Sequence, residues 1–455
     1  MVATGRGAYL YHWRYDRHTE KRVQEALDRD QWSPEQWKKF QDERLAFVLH
    51  HAATKVPYYR NVWNRRRQKG DRASWELLEN WELLEKEPIR QNPEAFVADG
   101  CRTRDMFAER TSGSTGKPLV MWRTREVQRA WYALQEARVR RWNGVSLHDR
   151  WAILGGQLIA PVSRRTPPFW VWNAALHQLY LSSFHLAPDL IPCYLDALKK
   201  YRVKYLLGYT SSLSVIAQQV LKTGRRDMKM SVVLTQAEPV TPSQREVIAE
   251  AFQCAVRETY GSAEIVAAAA DCEQRKLHLW PEAGFLEILE DKKPVKRGEP
   301  GELVCTGLLN ADMPLIRYRT GDRASLEAES GAGSCECGRR LPRIQGIHGR
   351  MDDMLYTSDG RKVGRLDPVF KADMPIQESQ IVQESLERIR IRYVPGRGFT
   401  SHSADHITRA VREHLGPVEV ILEAVDQIPR EANGKCRSVI CMLRGEQDKP
   451  VNTRG

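Results

Sequence analysis

The sequence predicts an α/β protein with a large N-terminal domain and a small α+β C-terminal domain. Between residues 188 and 252, helical patterns alternate with short apolar strands, which is typical of a parallel sheet covered by helices. After Gly284 the pattern changes to strands separated by turns, which predicts a β subdomain. About 100 residues remain after residue 349, enough for one small domain. We therefore predict domains at residues 1–349 and 350–455, the first with mixed and parallel sheets and helices.

Composition indicates an ordinary globular chain. It has 455 residues, of which 42% are hydrophobic and 28% charged. No apolar run approaches the roughly 18 residues of a membrane span, and the first 15 residues lack the apolar segment of a secretory signal. Nine cysteines, an odd number spread along a long chain, indicate a reducing compartment. These features predict a cytoplasmic protein without a membrane span.

The chain has an excess of positive charge. The net charge of +12 would fit nucleic acid, anionic small substrates or an acidic surface. Basic clusters occur at 64–69 and 138–141, but no nucleic-acid-binding motif accompanies them. We interpret them as solvated faces and predict no nucleic-acid partner.

Caps and apolar spacing predict two helices in the N-terminal part. The first covers 33–55, with Ser33 as N-cap and Pro34 at the first helical position, and it ends at the Val-Pro-Tyr-Tyr of 56–59. The second covers 124–142 and is stopped by an Asn-Gly pair.

A glycine- and hydroxyl-rich loop lies between them. It covers 110–118, Arg-Thr-Ser-Gly-Ser-Thr-Gly-Lys-Pro, and separates short apolar strands at 106–108 and 119–122. Backbone amides freed by the two glycines, three hydroxyls and one ammonium suit a polyphosphate. The loop is not a Walker A motif, which requires a further glycine, a Ser or Thr in place of Pro118 and a following helix. A solvated turn is the alternative interpretation.

The remaining elements follow the same signals. Helices are predicted at 188–201, 213–221, 241–252 and 403–415, and strands at 205–207, 231–234, 285–289, 301–305, 376–384, 389–394 and 418–424.

Polar segments recur where apolar strands end. In an open α/β sheet, ligands bind at the carboxyl ends of the strands, so these segments are expected to converge on one site. The segments are Thr111 to Lys117, Gln236 to Pro239, Tyr260 to Glu264, Arg317 to Asp322 and Gly349 to Asp353.

Together with Pro429 to Lys435, these segments resemble the adenylate-forming enzymes, the superfamily of acyl-CoA synthetases, peptide-synthetase adenylation domains and luciferases. The resemblance covers residues 45 to 440. Three stretches, 51–59, 237–239 and 335–339, are similar to the phenylacetate-CoA ligase group, whereas 181–186 and 207–213 are similar to its CapK-type relatives.

The resemblance implies roles for individual residues. Lys117 would hold the β- and γ-phosphates with its loop, Glu264 would bind Mg²⁺, Lys435 would be catalytic, and Asp352 would be the hinge of a mobile C-terminal lid. Residues implied to bind ATP or AMP are Thr111, Ser112, Gly113, Ser114, Thr115, Gly116, Glu238, Pro239, Tyr260, Gly261, Ser262, Asp322 and Arg350.

Lys435 has a physical reason for its role. Attack of a carboxylate on the α-phosphorus concentrates negative charge, and a mobile ammonium lowers that barrier. The alternative is an ordinary loop lysine in Asn-Gly-Lys.

A zinc site is predicted from ligand types. Cys272, His278, Cys335 and Cys337 would form a closed tetrahedral Cys₃His site with a structural role, a pairing that the phenylacetate branch also implies. Free buried thiols are the alternative.

The acid pocket is predicted between the phosphate loop and the adenine loop. Its residues would be Trp131 to Gln135, Phe184, His185, Gly208, Tyr209, Thr210 and Ser211. Because these are mainly aromatic and apolar, an aryl or short acyl carboxylate is expected. Core packing is an equal alternative for His185 and Tyr209.

The predicted reaction has two steps. ATP and a small carboxylic acid give acyl-AMP and pyrophosphate, and a thiol, coenzyme A, then displaces AMP. The alternatives are an amine acceptor with an amide product and, in another class, a polyanion-binding scaffold without catalysis. Gln236 and Ala263 depart from the small Gly and the Thr common at these places in the family, so the family pattern does not predict how the acyl pocket is tuned. A homodimer remains open.

Overall fold

The computed structural model describes residues 2–110, 119–156, 159–160, 164–225, 227–327, 335–350, 355–358, 362–363, 375–396, 398–430, 437 and 439–443. Predicted site residues Thr111 to Lys117, Asp352 and Lys435 lie outside these ranges.

The helices of the described part follow the expected order with local differences. The α-helices are α1 (Val2–Arg14), α2 (Thr19–Arg29), α3 (Pro34–Lys55), α4 (Pro57–Gln68), α5 (Lys86–Gln91), α6 (Arg125–Gln135), α7 (Ile191–Lys200), α8 (Thr210–Lys222), α9 (Pro242–Phe252) and α10 (Ser401–Leu415). Short 3₁₀ helices cover Leu78–Asn80, Pro93–Phe96, Thr103–Asp105, Arg141–Asn143, Ala174–Leu176 and Ser183–His185.

The strands alternate with helices as far as α9 and follow one another between α9 and α10. They are β1 (Phe107–Arg110), β2 (Val120–Arg123), β3 (Trp151–Gly155), β4 (Trp170–Asn173), β5 (Gln178–Ser182), β6 (Tyr205–Tyr209), β7 (Val232–Gln236), β8 (Ala255–Gly261), β9 (Ala268–Asp271), β10 (Leu277–Leu279), β11 (Gly284–Glu290), β12 (Lys293–Pro294), β13 (Gly301–Gly307), β14 (Tyr318–Leu326), β15 (Arg343–Arg350), β16 (Leu355–Tyr356), β17 (Lys362–Val363), β18 (Ile376–Gln383), β19 (Arg388–Pro395), β20 (Glu419–Ala424) and β21 (Val439–Cys441).

The largest sheet has the strand order β12-β11-β13-β14-β15-β10-β9-β8-β7-β6-β3-β5-β4. Its middle is parallel, since β3 pairs in parallel with β5 and β6, β6 with β7, and β7 with β8. The adjoining strands β9 and β10 are antiparallel to their neighbours. The predicted α/β class with mixed and parallel sheets is confirmed.

Successive side chains of the parallel strands point to opposite faces of the sheet, and helices pack on both faces. Leu206 on β6 belongs to a core with α7, α8 and α9. Its neighbours Tyr205 and Leu207 belong to a second core that includes residues of α6, α2 and α3. Both faces are therefore apolar, as expected for a buried parallel sheet.

The chain divides into two compact units. One comprises 1–240, 244–320 and 324–346, and the other comprises 241–243, 321–323 and 347–455. In the second unit, α10 packs on a sheet of order β20-β19-β18-β21, with Ile391, Ile407 and Val411 in its core. The boundary at residues 349 and 350 stays a prediction.

Two N-terminal helices, α1 and α2, were not predicted. Helix α1 contains two glycines, which weaken helix propensity. Gly7 lies against Asn173, where a Cβ would lie 1.9 Å from the side-chain oxygen. The close contact with another part of the chain thus favours the residue that local helix propensity disfavours.

Local differences also occur at the ends of two predicted helices. Helix α3 ends at Lys55 as expected, but Pro57 then begins α4, because proline also fits the first helical position. The helix predicted over 124–142 consists of α6, a π-helical turn at Glu136–Arg140 and a 3₁₀ turn. Gly144 ends it in the left-handed conformation, with φ of 67°.

None of the helices in the described ranges combines the length and apolar character needed to cross a membrane.

Candidate active site

The parallel strands have a switch point at β3. The chain passes from β3 to β5 on one side and later to β6 on the other. Ligands bind in the crevice that such a reversal creates at the carboxyl ends of the strands. The register places Tyr209, at the end of β6, beside Gln236, at the end of β7. The segment predicted for the acid pocket, 208–211, therefore lies beside the segment predicted for the adenine, 236–239.

Glu238 connects the segment after β7 to the start of helix α8. The Ser211 amide donates to Glu238 Oε2 at 2.8 Å, and the Ser211 hydroxyl donates to Oε1 at 3.0 Å. The Thr210 hydroxyl donates to the Glu238 carbonyl at 2.9 Å. A carboxylate at a helix N-terminus interacts favourably with the helix dipole. The structure thus assigns Glu238 a positioning contact that its position in the sequence did not predict.

Tyr209 lies at the switch point. Burial raises the pKa of its hydroxyl, and the Gly156 backbone forms a hydrogen bond with it. The preceding Gly208 allows β6 and β3 to approach closely, since a Cβ there would lie 2.9 Å from the Leu154 Cβ. Tyr209 is half-buried, whereas Thr210 and Ser211 are buried.

The predicted adenine and magnesium segment, Tyr260 to Glu264, begins in the last two residues of β8. Tyr260 and Gly261 pair with Ala269 and Ala268 of β9. The Tyr318 hydroxyl donates to Glu264 Oε1 at 2.8 Å. Glu264 is half-buried, and the hydrogen bond from Tyr318 uses one of its two carboxylate oxygens. Mg²⁺ usually takes one or two carboxylates together with substrate phosphates, so the donor set fits that ion.

Arg123 is a buried residue beside the Glu264 turn that was not among the predicted site residues. It lies at the end of β2, the strand after the predicted phosphate loop, and its side chain is buried. It donates to Gln128 Oε1 at 3.2 Å and to the Ala263 carbonyl. Burial lowers its pKa, and the charges of Glu109 and Glu264 act in the opposite direction. A detectable signal existed, since period-two alternation places Arg123 on the same side as the apolar Met121.

Phe184 and His185 follow β5 in a 3₁₀ turn. Phe184 is half-buried. His185 is buried and stacks on Phe169, with ring centroids 4.7 Å apart, while its Nδ1 lies 2.9 Å from the Ser182 hydroxyl. These contacts are those of a packed core residue. The assignment of both residues to the acid pocket stays a prediction.

Four other residues predicted to bind the nucleotide lie in or beside strands of the large sheet. Pro239 and Ser262 are half-buried at the ends of β7 and β8. Asp322 lies half-buried within β14, and Arg350 ends β15. Their roles stay predictions.

The structure brings the four predicted zinc ligands together. Cys272, His278, Cys335 and Cys337 have ligand atoms that all lie within 4.8 Å of one another. The Cys272 and Cys335 sulfurs are 3.8 Å apart, and the Cys337 sulfur is 3.5 Å from His278 Nε2. Around a tetrahedral zinc, Zn–S of about 2.3 Å and Zn–N of about 2.0–2.1 Å separate two sulfurs by about 3.8 Å and sulfur from nitrogen by about 3.6 Å. The cluster therefore fits zinc.

The histidine of this cluster is oriented for metal binding. His278 Nδ1 lies 3.3 Å from the Leu341 carbonyl, and since that oxygen only accepts, Nδ1 donates and Nε2 faces the sulfurs. Second contacts of this kind fix the tautomer of metal-binding histidines. Burial lowers the pKa of His278 to about 4, which keeps the ring neutral near pH 7. The cluster joins the end of β9, strand β10 and the loop before β15.

Comparison with known proteins identifies the family. The profile of AMP-binding enzymes matches residues 38–312, and the profile of the CapK C-terminal domain matches residues 355–441. Protein CapK of Staphylococcus aureus is 24% identical over 416 residues, covering 88% of each chain. Phenylacetate-coenzyme A ligase of Thermus thermophilus is 24% identical over 454 residues, covering 89% of this chain and 96% of the relative.

Solved structures show the same fold. The 2-hydroxyisobutyryl-CoA ligase in its postadenylation state has a TM-score of 0.69 at 20% identity, with 91% of each chain covered. The amide bond synthetase McbA from Marinactinospora thermotolerans has a TM-score of 0.50 at 17% identity, covering 74% of this chain and 69% of the other. The chain belongs to the AMP-binding enzyme family, the adenylate-forming ligases, and includes a C-terminal domain of the CapK type.

Proposed function

We propose that the protein activates a carboxylic acid with ATP and transfers the acyl group to coenzyme A. An acid oxygen attacks the α-phosphorus of ATP, pyrophosphate leaves, and acyl-AMP forms. The thiol sulfur then attacks the acyl carbon, AMP leaves and the thiol proton goes to solvent or a base. The observation that supports this most is that Tyr209, Gln236 and the Glu238–Ser211 contact meet at the switch point of a sheet in an AMP-binding enzyme.

The nucleotide would be held by the segments at the strand ends. Glu238 and Pro239 would flank the adenine and Tyr260 would stack on it. The hydrogen bonds from Ser211 fix the Glu238 carboxylate, so the adenine loop would be held before ATP arrives. Magnesium, when bound by Glu264, would offset charge as pyrophosphate leaves.

The acid would lie on the face of β6 that includes Tyr209. Trp131 of α6 lies next to Gly261, where a Cβ would be 4.0 Å from its ring. An aromatic wall at this place favours an aryl or short acyl carboxylate.

The C-terminal domain would supply Lys435 and swing about a hinge near Asp352. In this proposal, the ammonium stabilises the charge that develops between acid and α-phosphate, and the swing then exposes the adenylate to the acceptor.

A second candidate acceptor is an amine, with an amide as product. The CapK-type features of the chain, among them the match of residues 355–441 to the CapK C-terminal domain, support this second candidate.

We further propose that Cys272, His278, Cys335 and Cys337 bind one structural zinc ion. The four protein ligands complete a tetrahedron, so such a site has no open position for substrate.

The experiment is ATP–pyrophosphate exchange with the full chain and a panel of aryl, acyl and amino acids. Exchange that depends on one class of acid is expected. Product analysis by mass spectrometry with coenzyme A and with amines then decides the acceptor. Folded protein that binds polyanions but exchanges no pyrophosphate with any acid would refute the enzymatic proposal and favour a scaffold.

A further inference from the structure

Arg123 is buried in a position that suits an apolar residue. Strand β2 alternates between half-buried and buried side chains, and Arg123 follows Met121 on the buried side with only 3% of its surface exposed. Its partner across the strand pair is Phe107 of β1. A guanidinium remains charged in such surroundings, because it does not lose its proton in proteins.

Stability does not explain this arginine. It donates to Gln128 Oε1 and to the Ala263 carbonyl, two uncharged acceptors. Among the described residues, no carboxylate forms an ion pair with it, and its Nε and the Gln128 amide nitrogen are buried without hydrogen-bond partners. The charges of Glu109 and Glu264 act on the guanidinium without forming an ion pair, so much of the several-kcal/mol cost of burying its charge remains, and each buried unsatisfied donor costs about 1–3 kcal/mol more. An apolar side chain would serve packing better.

The turn that Arg123 contacts has a strained backbone. Ser262 to Ile265 form a turn in which the Ile265 amide donates to the Ser262 carbonyl at 3.1 Å. Ile265 has φ of 51°, in the left-handed region that β-branched residues rarely adopt. Such residues cost about 1–3 kcal/mol and persist only where surrounding contacts hold them.

Two contacts hold this turn on either side of Glu264. Arg123 binds the carbonyl of Ala263, the residue before Glu264, and Tyr318 binds the Glu264 carboxylate at 2.8 Å. The first contact fixes the backbone and the second fixes the side chain. Because Arg123 ends the strand that follows the predicted phosphate loop, the first contact also connects that strand to the Glu264 turn.

We infer that Arg123 is a positioning residue, which holds the strained turn 262–265 so that Glu264 presents its carboxylate to the magnesium ion of MgATP. This inference rests on the proposed function. Arg123 does not touch the nucleotide or the metal in this role. Its effect passes through the Ala263 carbonyl and the backbone of Glu264.

The test measures magnesium-dependent ATP binding rather than turnover. The Kd of ATP is measured by calorimetry for the full chain in EDTA and in saturating MgCl₂, and the ratio of the two values is the magnesium effect. Arg123→Met is expected to reduce this ratio about tenfold, the worth of one hydrogen bond from a charged group, and to leave the Kd in EDTA within twofold. Arg123→Lys keeps the charge but not the forked contact, so an intermediate ratio is expected.

The matched control is Arg140→Met. Arg140 is also a buried arginine, but it donates to the Tyr205 hydroxyl and to Glu136, away from the turn. It is expected to lower Tm without changing the magnesium effect. An equal loss in Arg140→Met would overturn the inference, because general destabilisation would then explain both variants.

Glu264→Gln separates this inference from the proposed function. If Glu264→Gln abolishes the magnesium effect while folded Arg123→Met and Arg123→Lys keep it, the positioning role is wrong and the magnesium assignment stands. If Glu264→Gln keeps the full magnesium effect, the assignment of the metal to Glu264 is wrong and the inference fails with it.

Discussion

Replacing two of the proposed zinc ligands should destabilise the protein without much change in nucleotide binding. The change is the double variant Cys335→Ser/Cys337→Ser. Both residues lie in the loop before β15, while Cys272 and His278 lie at β9 and β10. The observed separations of 3.8 Å and 3.5 Å are those of a tetrahedral site, so two hydroxyls in place of two thiolates should abolish tight binding.

The size of the effect follows from mass action. A metal that binds only the folded state at a free concentration 100 times its Kd stabilises that state by about 2.7 kcal/mol. With about 2–4 °C in Tm for each kcal/mol in a large domain, the double variant should melt roughly 5–10 °C lower in zinc-containing buffer. The Kd of ATP should change less than twofold, because the site would be closed.

The assay is metal analysis of protein prepared without chelator, followed by thermal melting. One zinc ion per chain is expected in the wild type and less than about one tenth of that in the double variant. The matched control is Cys193→Ser/Cys254→Ser, which changes two half-buried free thiols outside the cluster and should keep the metal. Absence of zinc from the wild type, or full zinc content in the Cys335→Ser/Cys337→Ser protein, would refute the assignment.

Three further predictions concern the nucleotide and acid sites. Lys435→Ala should lower pyrophosphate exchange about 10²–10³-fold with little change in the ATP Kd, and an unchanged rate would remove the lysine from the first step. Glu238→Ala leaves the Ser211 amide at the start of α8 without its acceptor, so unfolding free energy should fall by about 0.5–2 kcal/mol and ATP should bind more weakly; a stability equal to wild type in denaturant titration would contradict this. Tyr209→Ala should change the ratios of kcat/KM within an acid series by about 10–200-fold, which corresponds to 1–3 kcal/mol per pocket contact, and unchanged ratios would place the acid pocket elsewhere.

The candidate site was predicted from local sequence, because each of its segments is a short stretch of neighbouring residues. The segments after β7 and β8 were recognisable as polar residues at the ends of apolar strands, and parallel pairing brings such ends to one edge. The four zinc candidates could also be recognised from residue type, since thiolates and imidazoles are typical zinc ligands. The alternation of strands with helices predicted the class of fold, because this alternation is also a pattern of neighbouring residues.

Local patterns do not encode contacts between distant residues, and the meeting of Cys272 with Cys335 was expected only from ligand type and from the family resemblance. Cys272 and Cys335 are separated by 63 positions, and only the pairing of β10 with β9 and β15 brings their loops together. Glu238 reaches Ser211 across 27 positions because β6 and β7 are adjacent in register. Neither distance is encoded in any local pattern.

Residue order predicted the alternation of helices and strands between residues 188 and 252, the polar segments that end the strands and the chemistry of the ligand candidates, because these depend on periodicity, caps and residue type. Three contacts became visible only in the folded chain: Arg123 is buried against the Ala263 carbonyl, Glu238 accepts hydrogen bonds at the start of α8, and His185 stacks within the core. Each of these contacts depends on which strand ends are neighbours and on which face of a strand a side chain lies. Strand order brings together positions that are far apart in the sequence, so a local pattern cannot predict such contacts.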